Sequence, residues 1–165
     1  MAKKKVLRQP QPDDPFILVA EDDEDDAFAM ELAFEKAGLA RRVWRVRNGG
    51  EAIDYLSGGG KYSDRREYPL PSLLLLDLSM SRMSGFEVLR WVRSNPRLKN
   101  LVAVVLTNSA RKADLEKAYQ FGADSYLIKP AGFLGFADML KSLQAYWSMN
   151  QVPSQRRSFQ RDKGR

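Results

Sequence analysis

Leu73-Leu74-Leu75-Leu76-Asp77 is a run of four leucines closed by a lone carboxylate. A short, continuous apolar run bounded by turn-forming residues is the pattern of a strand buried on both faces. Pro69 and Pro71 precede the run, and Ser79, Ser81, Ser84 and Gly85 follow it, so the chain leaves the sheet directly after Asp77. The acid therefore falls at the strand's carboxyl end, the edge where ligands bind in open α/β sheets. Taken alone, Asp77 also fits a turn or helix-capping aspartate, and the other strands must decide.

A second apolar run, Phe16-Ile17-Leu18-Val19-Ala20, also ends in acid: Glu21, Asp22, Asp23, Glu24, Asp25 and Asp26. After it, Phe28, Leu32, Ala33 and Ala37 recur at helical spacing, with Gly38 as the stop. Glu24, Asp25 and Asp26 fall in the first helical turn, where the dipole favours each negative charge by about 0.3–1 kcal/mol. That leaves Glu21 and Asp22 at the strand's end. Val43, Trp44 and Val46, set among arginines, predict an exposed edge strand. Ala52, Ile53, Tyr55 and Leu56 predict a short helix. Residues 57–71 then form a long loop, and its Gly58-Gly59-Gly60 lacks the Lys-Ser/Thr of a phosphate-binding loop and reads as flexible linkage.

Phe86, Val88, Leu89 and Val92 place a helix that Asn95-Pro96 stops, and Leu101-Val102-Ala103-Val104-Val105-Leu106 is another buried strand, ending at Thr107. Ala113, Leu115, Ala118 and Tyr119 define a further helix. Ser125-Tyr126-Leu127-Ile128 is a fifth strand, running into Lys129-Pro130, and Phe133, Phe136, Leu140, Leu143 and Trp147 mark a final helix by steps of three and four, chiefly for core packing. Five strands alternating with five helices predict a doubly wound α/β domain, a five-stranded parallel sheet covered on both faces.

The chain of 165 residues is sized for one core with tails. Its longest apolar runs are far shorter than a bilayer crossing needs, which predicts a soluble protein. Lys3-Lys4-Lys5 is followed only by Val6-Leu7, not by the apolar centre of a signal peptide. The absence of cysteine excludes disulfides and thiolate metal sites. The net charge of +6 is confined to the ends: residues 1–15 carry +2 and residues 148–165 carry +4, while residues 16–147 are neutral. Both ends read as disordered tails. With Phe159 as their one aromatic, they fit solvated tails better than a nucleic-acid arm.

In a parallel sheet the strand ends share one edge, and here that edge collects Glu21, Asp22, Asp77, Thr107 and Lys129. Acids gathered in a shielded site take up protons or bind a cation, and all-oxygen ligation suits magnesium or manganese. A hydroxyl and a lysine beside such a pocket point to phosphoryl transfer, with one carboxylate as the nucleophile that forms an aspartyl phosphate. Adjacent Glu21 and Asp22 suit metal holding, and Asp77, alone on the central strand, is the nucleophile candidate. Thr107 is placed to donate to a phosphoryl oxygen and Lys129 to supply compensating charge.

Together these residues resemble the receiver domain of two-component response regulators: Glu21-Asp22 after the first strand, Asp77 followed by Met83-Ser84-Gly85, Thr107 after a buried strand, and Tyr126 three places before Lys129-Pro130. The resemblance covers residues 16–147. It implies a flavodoxin-like fold with strand order 2-1-3-4-5. It also implies that Asp77 accepts phosphate from a sensor histidine kinase, while Glu21, Asp22, Asp77 and the backbone carbonyl of Ser79 hold Mg2+ or Mn2+. Thr107 and Lys129 would contact the phosphoryl group. Tyr126 would change rotamer as Thr107 moves, passing the signal to the surface of the fourth helix, fifth strand and fifth helix. The chain has no histidine, so the phosphohistidine must come from another protein.

More narrowly, the long loop before the third strand, Asn95-Pro96-Arg97-Leu98-Lys99-Asn100, Val105-Leu106-Thr107-Asn108-Ser109 and Tyr146-Trp147 resemble single-domain regulators partnered with bacterial and cyanobacterial phytochromes. That subgroup often forms homodimers. The expectation is a cytoplasmic signalling domain that catalyses only its own phosphorylation and dephosphorylation. Two residues depart from the family pattern. Ser81 stands where many receivers have proline, which predicts a less rigid loop, and Asn108 is bulkier than usual, which predicts crowded phosphoryl access or slower hydrolysis. The rival readings are a constitutive binding module that is never phosphorylated, nucleic-acid binding through the tails, and a haloacid-dehalogenase-like phosphatase. The last needs a second Asp two places after the first, where Ser79 stands.

Overall fold

The computed structural model describes residues 16–149. Predicted tail 1–15, all but the first two residues of 148–165, and the side chains of Tyr146 and Trp147 lie outside the described residues. The strands are β1 (Ile17–Ala20), β2 (Val43–Val46), β3 (Leu73–Leu76), β4 (Val102–Thr107) and β5 (Ser125–Ile128), paired in parallel in the order β2-β1-β3-β4-β5. The helices are α1 (Glu24–Lys36), α2 (Gly49–Ser57), α3 (Gly85–Ser94), α4 (Lys112–Gln120) and α5 (Gly132–Met149). This is the flavodoxin-like order expected from the sequence. No helix among the described residues is long and apolar enough to cross a membrane.

All four leucines of β3 are buried, and the two-residue period of a strand divides them between two cores. Leu73 and Leu75 join Val19, Val104 and Leu106 under α1 and α5, which supply Met30, Phe34, Phe136 and Leu140. Leu74 and Leu76 join Leu18, Val46 and Val105 under α2, α3 and α4, with Leu56, Leu89 and Val92. Each such aliphatic side chain contributes about 1.5–3 kcal/mol by leaving water. The central strand therefore holds both faces and fixes where Asp77 emerges.

The starts of α1, α2 and α3 are set by short polar side chains. The Asp23 carboxylate accepts from the Asp26 amide at α1, and Asn48 accepts from the Glu51 amide at α2. At α3, Ser84 and Glu87 form a reciprocal capping box. Gly85 is required just there: a Cβ on it would lie 2.3 Å from the Asp77 carbonyl oxygen. Only a residue without a side chain lets the first turn of α3 pack against the exit of β3.

Three expectations need correction. In α1 the buried stripe is Ala27, Met30, Ala33 and Phe34, whereas Phe28 is 62% exposed and Leu32 37% exposed. The helix turns Ala27, Met30, Ala33 and Phe34 to the sheet and α5, and Phe28 lies one step round. In α4 only Ala118 is buried; Ala113, Leu115 and Tyr119 face outward. Residues 57–71 form a packed loop rather than flexible linkage. Gly58 ends α2 in the left-handed conformation, and a short 3-10 turn at Gly60–Tyr62 drives Tyr62 into the core against Tyr55 and Tyr68. Arg65 donates to the Tyr55 and Leu56 carbonyls at 2.7 and 2.8 Å, satisfying the open end of α2. The predicted edge character of β2 stands, with Trp44 partly exposed. Of the predicted α5 stripe, Phe136 and Leu140 are buried, and Phe133 and Leu143 pack half-buried against the same cluster.

Candidate functional site at the carboxyl edge

The parallel ladders run one residue past the strands, and those extra bonds aim the site. The Glu21 amide donates to Val46 O at 3.1 Å, the Asp77 amide to Ala20 O at 3.1 Å, and the Lys129 amide to Thr107 O at 2.8 Å. Register between β1 and β3 pairs Ala20 with Leu76, so Glu21 and Asp77 leave the sheet side by side. Glu21, Asp77, Thr107 and Lys129 are the buried polar and charged residues among those described. A charge is buried only when paired, and the Lys129 ammonium provides the pairing.

Lys129 Nζ lies 2.6 Å from Glu21 Oε2, 2.8 Å from Asp26 Oδ2 and 3.1 Å from Asp77 Oδ2. Burial opposes its charge, but the hydrogen bonds to Asp26 and Glu21 and the charges of Asp77 and Glu21 hold the ammonium above the ordinary lysine range. Burial pushes the Glu21 carboxyl up to about 7; Lys129 pulls against that rise and the charge of Asp77 adds to it.

Carboxylate oxygens of Glu21, Asp22 and Asp77 lie within 4.8 Å of one another. Hard oxygen donors converging at that spacing fit magnesium or manganese and offer nothing to a thiophilic metal. The surrounding backbone fixes their orientation. Glu21 Oε1 accepts from the Asp23 amide at 3.0 Å, Asp77 Oδ1 from the Ser79 amide at 3.2 Å, and Asp22 Oδ2 from the Ser81 amide at 3.1 Å. A proline at 81 could not make the last bond, so Ser81 ties the loop to the acidic cluster instead of merely loosening it. Asn108 is exposed at the end of β4.

Thr107 does not bond Tyr126 directly; Ser109 stands between them. Its amide donates to Thr107 Oγ1 at 3.3 Å, and its carbonyl accepts from the Tyr126 hydroxyl at 2.9 Å. The Ser109 hydroxyl donates to Asp114 Oδ2 at 2.5 Å, anchoring the same loop to α4. Sequence reasoning thus missed Asp26, Ser109 and the bond that Ser81 makes to Asp22. The helix dipole already accounted for Asp26, Ser81 acts through a backbone amide that any residue but proline carries, and Ser109 reaches Thr107 and Tyr126 through its backbone amide and carbonyl.

A doubly wound sheet whose carboxyl edge gathers three acids, a threonine and a buried lysine defines a two-component receiver. The chain belongs to the response regulator receiver domain family, whose model matches residues 17–141. Receiver domains of this family are two-component signalling domains that work with histidine kinases and bind divalent metal. The chain is 37% identical over 139 residues to the probable methanogenesis regulatory protein FilR2 of Methanothrix harundinacea, covering 82% of this chain and 85% of that one. Close structural neighbours are regulators associated with phytochromes. The phosphorylated cyanobacterial phytochrome response regulator RcpA superposes with a TM-score of 0.76 at 30% identity, over 85% of this chain and 99% of that chain. The Mn(2+)-bound form of the response regulator Rcp1, a protein of Synechocystis, superposes with a TM-score of 0.74 at 28% identity, over the same shares.

Proposed function

We propose that this chain is a cytoplasmic response regulator that takes a phosphoryl group onto Asp77 from the phosphohistidine of a sensor kinase, in a magnesium-dependent reaction. The observation that carries the reading is the position of the Asp77 carboxylate, shared between the Lys129 ammonium at 3.1 Å and the acidic cluster of Glu21 and Asp22. In the transfer, a carboxylate oxygen of Asp77 forms a bond to phosphorus as the P–N bond to the kinase imidazole breaks, and the electron pair stays on that nitrogen. When bound by Glu21, Asp22, Asp77 and the Ser79 carbonyl, magnesium offsets negative charge on the phosphoryl oxygens. Lys129 supplies further positive charge without needing a proton shift. The Thr107 oxygen already accepts from the Ser109 amide, which leaves its own proton to donate to a phosphoryl oxygen.

In this reading Ser109 is the coupling element. Recruitment of Thr107 to the phosphoryl group draws on the Ser109 amide, and the Ser109 carbonyl holds the Tyr126 hydroxyl. Movement of that loop changes the surface of α4, β5 and α5, where Leu115, Tyr119, Ile128 and Leu134 are exposed. Those apolar side chains suit a homodimer contact or a partner protein. A phytochrome-type kinase as donor is supported by the likeness to RcpA and Rcp1. Mixing the protein with a radiolabelled, autophosphorylated phytochrome kinase tests the reading. Label is expected to move to the wild-type chain and not to Asp77→Asn, whereas label moving equally to both contradicts the assignment.

A further inference from the structure

We propose that Asp26 is a positioning residue for Lys129, holding the ammonium aimed at the phosphoryl group while making no contact with that group itself. The inference rests on the reading of Asp77 as phosphoacceptor and extends it to a residue on another element. Lys129 has a side chain only 2% exposed, and its three N–H donors face three carboxylates. Two of these, Glu21 and Asp77, also belong to the cluster that can hold a cation; Asp26 does not.

The distinction matters during the reaction. Phosphorylation converts the Asp77 carboxylate into an acyl phosphate, and a bound cation draws on Glu21. Both partners of Lys129 then change, and a lysine on a flexible four-carbon stem needs one that does not. Asp26 is that fixed partner, at 2.8 Å. Its backbone is fixed too, because its amide donates to the Asp23 carboxylate in the first turn of α1. Helix α1 packs on α5, the helix that begins just after Lys129, so the two ends of this ion pair ride on elements that are themselves in contact.

The test is a double-mutant cycle on the phosphorylation rate, with acetyl phosphate as donor and saturating magnesium, using Asp26→Asn, Lys129→Ala and the combination. Asp26→Asn is expected to slow the maximal rate by about tenfold, through loss of aim on the phosphoryl group. Its dissociation constant for magnesium alone should stay within about twofold of wild type, since the three acids of the cation cluster, Glu21, Asp22 and Asp77, remain. In the Lys129→Ala background the same substitution should have no further effect, because Asp26 acts through Lys129. Asp26→Glu, which keeps the carboxylate, should recover most of the rate and also serves if the asparagine variant folds poorly. A wild-type rate for Asp26→Asn, or rate losses that simply multiply in the combined variant, overturns the proposal. If the wild-type chain itself gains no phosphoryl group, the underlying reading of Asp77 fails, an outcome distinct from a normal wild type with an unaffected Asp26→Asn.

Discussion

The backbone amide of Ser81 donates a hydrogen bond to Asp22 Oδ2 across a separation of 59 residues, at 3.1 Å. It fixes the rotamer of a carboxylate in the acidic cluster, so part of the ordering that metal binding requires is already in place. Ser81→Pro removes the donor. Magnesium binding, followed by tryptophan and tyrosine fluorescence, is expected to weaken about fivefold, the equivalent of about 1 kcal/mol for one hydrogen bond. An unchanged dissociation constant would show that Asp22 needs no such support.

The same cluster predicts a pH dependence. Burial places the Glu21 carboxyl at about 7 in the folded, metal-free protein, against 4.5 for an ordinary glutamate. A group raised in this way favours the folded state below its unfolded value, and that contribution is lost as pH climbs through the folded one. Metal-free protein should therefore lose stability from this group between pH 4.5 and about 7, and Glu21→Gln should remove that part of the slope. Conversely, a cation must displace the Glu21 proton below about pH 7, so magnesium affinity should fall by up to tenfold per pH unit on the acid side. Calorimetric titration showing the same affinity at about pH 6 and about pH 8 would contradict this.

Two glycines separate steric from conformational cost. Gly85→Ala would set a Cβ 2.3 Å from the Asp77 carbonyl oxygen and 2.9 Å from Leu78 Cα, both backbone atoms that cannot swing aside. A loss of about 3 kcal/mol in denaturant unfolding is expected. Gly38→Ala meets nothing within 4 Å and pays only for its φ of +72°. About 1 kcal/mol is expected there. Equal costs at the two positions would mean that the α3 start relaxes away from Asp77.

The sheet was legible because its central strands are buried on both faces, which leaves unbroken runs such as Leu73 to Leu76 and Leu101 to Leu106. The site acids followed from that, since Glu21-Asp22 and Asp77 stand at the ends of such runs. The helices were less legible. Phe28, Leu32, Leu115 and Tyr119 sit at helical spacing yet face outward, because a periodic pattern gives a helix's apolar residues but not the rotation that its neighbours select. Asp26 was hidden for a different reason. One physical cause, the helix dipole, explained a first-turn acid completely, and only the position of Lys129 adds a second.

Leu115, Tyr119, Ile128 and Leu134 give the α4-β5-α5 surface its exposed apolar character. If a homodimer forms there, Tyr119→Glu places a charge in the contact and should weaken association by at least about tenfold. Sedimentation with and without beryllofluoride, an analogue of the phosphoryl group, checks this. Wild type is expected to shift toward dimer and the variant to stay monomeric; equal behaviour of the two would move the contact elsewhere.

The central claim is that Asp77 carries the phosphoryl group. Intact mass after incubation with acetyl phosphate and magnesium tests it most directly. One phosphoryl adduct is expected on the wild-type chain, none on Asp77→Asn and none when magnesium is chelated. A wild-type chain that stays at its unmodified mass under these conditions, or an adduct that survives in Asp77→Asn, would contradict the account.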